Sequence, residues 1–150
     1  MSKRRSKKIN KVVSLAASEE RRFGELTGRS QQALNEQMQR LGELNAYRQS
    51  YAAKSPRTSG VTAVHWQDYQ NFLGRLDTAV SSQQQIIRDC EQSLEVHRNR
   101  WLQKRQKLES LERVLEKSRQ QDAVYESRLE QKTLDDLPRP EQFRRDNDDR

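Results

Sequence analysis

The second half of the chain carries one long row of residues at coiled-coil spacing. The row begins at Trp66, steps alternately three and four residues, and ends at Leu129. Its positions, called the long seam below, are Trp66, Tyr69, Leu73, Leu76, Val80, Gln83, Ile87, Cys90, Leu94, His97, Trp101, Lys104, Leu108, Leu111, Leu115, Ser118, Asp122, Tyr125 and Leu129, and fourteen of the nineteen are apolar. This alternation is typical of a helix that packs lengthwise against another helix. So long a helix cannot fold back into a globule, and its seam must lie against a partner.

The composition favours two long helices over a thick globular core. Only 31% of the residues are apolar and 34% are charged, which suits helices that each bury a single stripe. No proline lies between Pro56 and Pro138, so nothing in that interval must break a helix. The chain has no apolar run that could span a bilayer and no apolar signal segment, so we expect a cytoplasmic location.

Charge and turn residues divide the chain into segments. We predict a basic N-terminal arm over residues 1–8, a helical hairpin over 9–137 and a disordered tail over 138–150. Within the hairpin, the predicted elements are a helix over 9–53, a turn over 54–62 and a helix over 63–134. Pro56 and Gly60 mark the turn, and Thr62 is a plausible N-cap.

The apolar spacing of the first helix drifts. Phe23, Leu26 and Ala33 keep one heptad, whereas Leu34, Met38 and Leu41 belong to a shifted one. Such a change of phase predicts a stutter that locally unwinds a supercoil.

The short connection predicts that the two helices are antiparallel neighbours, so the fold class is all-α, an antiparallel coiled-coil hairpin. With the turn centred near residue 57 or 58, residue i should face roughly residue 115 − i. The second helix then overhangs the first and has no facing partner past about residue 106. We expect this overhang to dock another protein; the alternatives are that the N-terminal arm folds along it or that two chains pair there.

The charge distribution and the absence of catalytic motifs limit the functions that this chain can have. Residues 1–11 hold six positive charges and no negative one, an arrangement usually found in solvated tails. No phosphate-binding glycine loop is present, and the sequence holds only two histidines, His65 and His97, and one cysteine, Cys90. We therefore predict no enzymatic activity, no cofactor and no metal site.

Several stretches, in the same order along the chain, resemble the flagellar export protein FliJ family. They are Lys8-Ile9-Asn10-Lys11-Val12-Val13-Ser14-Leu15-Ala16 followed by Glu19-Glu20, then Tyr47-Arg48 followed by Tyr51, then Trp66, Tyr69, Gln70, Phe72 and Leu76, and finally Arg128-Leu129-Glu130-Gln131-Lys132-Thr133-Leu134-Asp135-Asp136-Leu137. The resemblance covers nearly the whole chain.

The resemblance implies a stalk-like coiled coil of the flagellar type III protein export apparatus. It implies binding to the ring of the export ATPase FliI, to the export gate protein FlhA and to export chaperones, as a monomer peripheral at the cytoplasmic face of the inner membrane. The gate-contact positions it implies are Tyr47, Phe72, Leu76, Ala79 and Gln83, where Gln83 replaces a histidine often seen in the family. We assign the ATPase contact to the overhang, through Leu108, Leu111, Leu115, Tyr125 and Leu129.

Three other functions are compatible with the same sequence pattern. A stalk protein of a virulence-type secretion system would share the coiled-coil physics. A nucleic-acid-associated coiled coil would use the basic arm to bind phosphates, although no aromatic residue lies among its basic residues, so specific nucleic-acid binding is not expected. A homodimeric tether would pair through the overhang.

Overall fold

The computed structural model describes residues 2–54 and 62–137. It contains two α-helices, α1 (Ser2–Ala53) and α2 (Ala63–Asp135). The predicted fold class is confirmed, because the two long helices pack against each other and the described residues include no strand. Most of the predicted turn and the predicted disordered tail lie outside the described residues.

Helix α1 begins at Ser2 rather than at residue 9. The residues predicted to form an arm are instead its first two turns. Lysine and arginine are good helix formers, and no glycine or proline interrupts the segment. Contacts with α2 add to this propensity, because Lys3 forms an ion pair with Glu126 at 3.0 Å. Basic residues therefore extend the helix where the charge run suggested a solvated tail.

Helix α2 begins and ends close to the predicted positions. The carbonyl of Thr62 accepts a hydrogen bond from the Trp66 amide at 3.2 Å, as an N-cap carbonyl does. The Thr62 hydroxyl contacts the His65 ring at 2.6 Å. At the other end, the Asp136 amide bonds to the Lys132 carbonyl, one residue past the last helical residue.

The chain divides into two compact units. The inner unit comprises Glu19–Lys104, and the terminal unit comprises Met1–Ser18 with Arg105–Arg150. In the inner unit the helices are antiparallel, since Gln37 contacts Gln83 and Glu20 contacts Trp101. The terminal unit is antiparallel as well, since Ser6 contacts Ser118 while Lys3 reaches Glu126.

The inward face of α1 keeps an unbroken heptad, so the predicted stutter is wrong. Its buried or half-buried positions in three-four alternation are Ser6, Ile9, Val13, Ala16, Glu20, Phe23, Thr27, Ser30, Leu34, Gln37, Leu41, Leu44, Arg48 and Tyr51. Six of these fourteen are polar, so the spacing of apolar residues alone does not show the heptad. Met38 and Ala33, which suggested the change of phase, are exposed.

The long seam is buried or half-buried at every position from Trp66 to Asp122. The prediction that α2 has no facing partner past residue 106 is therefore wrong. Leu115 is only 7% exposed, and Ser6 of α1 reaches both Ser118 and Asp122. Residues 127–137 are all exposed, so α2 still overhangs α1, but by a shorter segment.

The register also differs from the predicted one, by about one heptad. Leu34 packs with Ile87, Leu94 and Cys90, where the prediction placed it near Val80. A shift of one heptad keeps both inward faces in contact, so apolar spacing alone does not distinguish the two registers.

Candidate interaction surfaces

Polar side chains inside the helix interface pair with each other and select the register. In the inner unit, Gln83 Nε2 donates hydrogen bonds to the carbonyl oxygen of Gln37 at 2.9 Å and to its Oε1 at 2.8 Å. Ser30 Oγ lies 2.5 Å from His97 Nδ1. A slide of one heptad would bring Gln83 opposite Ser30 in one direction and opposite Leu44 in the other, and either slide would break both bonds to Gln37. Where the buried amide is left unpaired, the cost is about 1–3 kcal/mol. The polar positions therefore specify which heptads meet.

The Trp101 side chain packs closely against α1 at Gly24 and Glu20. Its indole Nε1 donates to Glu20 Oε1 at 2.9 Å. That nitrogen lies 3.1 Å from where a Cβ on Gly24 would stand, so the glycine permits the close approach. Lys104 closes the same region by pairing with Glu19 at 2.9 Å and lying over the Phe23 ring, 5.5 Å from its centroid.

An aromatic cluster lies in the inner unit where α1 ends and α2 begins. Tyr51 stacks on Tyr69 with ring centroids 5.0 Å apart and also contacts Phe72 at 4.5 Å. Tyr47 meets Phe72 edge-on at 6.3 Å, and Trp66 stacks on Tyr69 at 5.7 Å. The Tyr69 hydroxyl donates to the carbonyls of Tyr51 and Ala52, two of the acceptors left open at the end of α1. The cluster therefore holds this pair of helix ends together and presents aromatic surface beside them.

The five predicted gate-contact residues fall into two groups. Tyr47 is 53% exposed and contacts the Phe72 ring. Phe72 and Ala79 are half-buried and lie seven residues apart, on one flank of α2. Leu76 and Gln83 are each only 8% exposed, because both occupy the long seam facing α1. The first group has accessible surface for a partner, and the second supports that surface from the helix interface.

The terminal unit contains a polar cluster that the sequence did not reveal. The Ser6 hydroxyl donates to Asp122 Oδ2 at 2.5 Å and lies 3.0 Å from the Ser118 hydroxyl. Asp122 Oδ1 is buried and has no hydrogen-bond partner among the described residues. The pairing of Lys3 with Glu126, through a hydrogen bond and charge attraction, raises the pKa of Lys3 above its ordinary value. These contacts attach the start of α1 to α2.

The five predicted ATPase-contact residues are also divided. Leu108 and Leu111 are half-buried and Leu115 is buried, all under α1, whereas Tyr125 and Leu129 are exposed. Sequence reasoning missed three further exposed apolar residues nearby, namely Val124, Leu134 and Leu137. The sequence shows these three as apolar residues outside the heptad positions. Only the structure shows that α1 does not cover them.

The described part of the chain offers neither a metal site nor a membrane-spanning helix. Residues 2–54 and 62–137 include no group of three histidine, cysteine or carboxylate side chains that could hold a metal ion. Within the same ranges, no helix is long and apolar enough to cross a membrane.

Together these features define a class of protein, the antiparallel two-helix coiled coil, with accessible aromatic and apolar side chains on its surface. Comparison with known sequences gives the family. A sequence model described as "Flagellar FliJ protein" matches residues 6–145, so the chain belongs to the FliJ family and is related to flagellar protein export. The "Flagellar FliJ protein" of Escherichia coli (strain K12) is 27% identical over 117 residues, which cover 78% of each chain. No solved structure matches the chain. The predicted resemblance is thereby confirmed.

Proposed function

We propose that this protein is a non-catalytic, stalk-like component of the flagellar type III export apparatus. It binds the export ATPase ring through its terminal unit and the export gate protein through its inner unit, and it also binds export chaperones. It works as a monomer at the cytoplasmic face of the inner membrane. The observations that carry this proposal are the exposed ring of Tyr47 against Phe72 in the inner unit, and a run of exposed apolar side chains in the terminal unit, namely Val124, Tyr125, Leu129, Leu134 and Leu137.

The ATPase contact is proposed for the uncovered end of α2. Tyr125 and Leu129 continue the long seam on either side of Glu126, which makes the last contact with α1, and both are exposed, together with Val124, Leu134 and Leu137. Fully burying one such side chain is worth about 1.5–3 kcal/mol, so this end can supply substantial binding free energy. Leu108, Leu111 and Leu115 are not included, because α1 already covers them.

A single chain in this position would act on the ATPase through differential binding. One helix end cannot make the same contacts with every subunit of a ring. It therefore stabilises some subunit conformations over others and shifts the population of hydrolysis-competent interfaces.

The gate contact is proposed for the face formed by Tyr47, Phe72 and Ala79. Tyrosine and phenylalanine supply large contact areas with few rotatable bonds, and aromatic residues of this kind are common at the centres of protein interfaces. Leu76 and Gln83 contribute indirectly, since their packing against α1 fixes the positions of the exposed residues around them.

The ATPase proposal is tested by two exposed substitutions with a matched control. Tyr125→Ala/Leu129→Ala removes apolar surface from the uncovered end, whereas Val96→Ala/Leu102→Ala removes similarly exposed apolar surface elsewhere on α2. We expect stimulation of hydrolysis by the purified export ATPase to fall at least tenfold in the first variant only. Equal stimulation by both variants, with unchanged helicity by circular dichroism, would refute the assignment.

The gate proposal is tested separately by binding to the cytoplasmic part of the gate protein. Tyr47→Ala should weaken binding by about 1–2 kcal/mol, whereas Met38→Ala, at another exposed position of α1, should have no effect. If the Tyr47 and Met38 variants bind equally well, the proposed face is not the contact. Light scattering of the free chain tests the monomer, and a stable dimer would favour the tether.

A further inference from the structure

The first four turns of α1 present a straight row of residues away from α2. Arg4, Lys8, Lys11 and Leu15 follow the spacing i, i+4, i+7 and i+11, which places them on one face of a helix. All four are exposed. The opposite face, which includes Ser6, is the one that contacts α2.

This part of α1 carries positive charge that no carboxylate of its own segment balances. Residues 2–18 contain six lysines and arginines and no aspartate or glutamate. Among the described residues, only Lys3 of the six is recorded in an ion pair, with Glu126. The other five, Arg4, Arg5, Lys7, Lys8 and Lys11, are exposed. The partial positive charge of a helix N-terminus adds to theirs, because the first turn contains no acidic residue.

Apolar side chains lie within the basic face. Leu15 is 69% exposed, the most of any large apolar residue in the described chain, and Val12 is 46% exposed. A groove in the same unit has the same mixture of basic and apolar residues; its lining residues are Arg5, Ile9, Val114, Lys117, Ser118 and Gln121. A purely solvated helix face gains nothing from an exposed leucine at the end of its row of basic residues.

We propose that the outward face of residues 4–15 binds an anionic membrane surface directly. The lysine and arginine side chains contact lipid phosphates, while Leu15 and Val12 enter the boundary between headgroups and acyl chains. Clusters of four to eight basic residues on an amphipathic helix are typical of segments that bind anionic lipids. This contact goes beyond the proposed binding to the ATPase and gate, since it gives the chain its own attachment to the bilayer.

The apolar residues favour a lipid surface over a nucleic acid. Nucleic-acid phosphates would attract the same cations, but they offer an exposed leucine no apolar environment. Aromatic side chains that could stack on bases are also missing from residues 2–18. The role of Leu15 therefore distinguishes the two ligands.

The experiment measures co-sedimentation of the full-length chain with phosphatidylcholine vesicles that contain about one-third phosphatidylglycerol, at physiological ionic strength. We expect Arg4→Gln/Lys8→Gln/Lys11→Gln to weaken binding on the order of 100-fold, from about fivefold for each basic residue. The matched control Arg40→Gln/Arg98→Gln/Arg100→Gln removes equal charge from exposed positions of the inner unit and should change binding less than about threefold.

Leu15→Ser provides the second variant, which leaves the charge unchanged. It should weaken vesicle binding roughly tenfold and leave the affinity for duplex DNA unaltered. Absence of binding by the original chain, equal losses in the two triple variants, or an unchanged vesicle affinity of Leu15→Ser would each overturn the proposal. These readouts require neither the ATPase nor the gate protein, so failure here is distinct from failure of the proposed function.

Discussion

Replacing Gln83 tests whether this residue acts inside the helix interface or on a partner. Its side chain is 8% exposed and its Nε2 makes two hydrogen bonds to Gln37. Gln83→Ala removes both bonds, each worth about 1 kcal/mol net, and also the packing of the side-chain methylenes. We expect it to lower the free energy of unfolding by about 3 kcal/mol.

A double-mutant cycle with Gln37→Ala separates the two bonds. The bond to Gln37 Oε1 is lost when Gln37 is truncated, whereas the bond to its backbone carbonyl can persist. The coupling energy should therefore be close to that of one bond, about 1 kcal/mol. Urea unfolding followed by circular dichroism at the helical band measures all four proteins. A coupling below about 0.3 kcal/mol would mean that the side chains do not pair as described.

Gln83→Leu extends the same test to function. Leucine restores the packing volume but leaves Gln37 Oε1 without its partner, so the variant should recover most, though not all, of the stability that Gln83→Ala loses. If Gln83 acts only by supporting the helix interface, gate-protein binding should change less than about threefold in this variant. A large loss of binding in a stable Gln83→Leu protein would instead show direct contact with the gate and contradict the supporting role.

Three further predictions concern stability and are checked by the same unfolding experiment. Gly42→Ala should stabilise the chain by about 1 kcal/mol, because open space surrounds the added methyl group, whereas Gly24→Ala should gain less or lose stability against Trp101; equal gains would contradict the close approach. Asp122→Leu should change the stability of the terminal unit by less than about 1 kcal/mol, because loss of the hydrogen bond from Ser6 is offset by removal of a carboxylate with a buried, unpaired oxygen; a cost above about 2 kcal/mol would mean that this oxygen is satisfied. Leu94→Ala should cost about 2–3 kcal/mol, near the low end for a core leucine, because the core is only two helices thick; a cost under about 1 kcal/mol would show that it is not part of a packed core.

Periodicity was sufficient to predict the helices and their antiparallel arrangement. The long seam needed only the spacing of large apolar residues, and the structure buries or half-buries it from Trp66 to Asp122. The start of α2 was predictable for a local reason, since Thr62 follows a segment with proline and glycine and can act as an N-cap.

The face of α1 was harder to predict because its interface is more polar. Six polar residues occupy heptad positions there, including Glu20, Ser30 and Gln37. Each is recognisable as an interface residue only when its partner on α2 is known. A helix of this composition therefore requires pairwise information that single-chain periodicity does not contain.

For the candidate contact residues as well, the sequence showed which side chains are apolar, and only the structure showed which of them are exposed. Tyr125 and Leu129 are exposed, whereas Leu115 is covered because α1 starts earlier than its charge pattern suggested. A run of like charges indicates a segment that prefers solvent. Residues 2–8 are nevertheless helical, because they have good helix propensity and because Lys3 and Ser6 contact α2.

By itself, the sequence determined two long amphipathic helices, their antiparallel connection and the family, because heptad spacing and ordered motifs are local or linear properties. The tertiary structure decided which heptads face each other, where the cover by α1 ends, and which apolar side chains remain accessible. The physical reason is that a shift of one heptad preserves the apolar contacts almost unchanged. Buried polar pairs such as Gln37 with Gln83 distinguish the registers, and they exist only once the two helices are brought together.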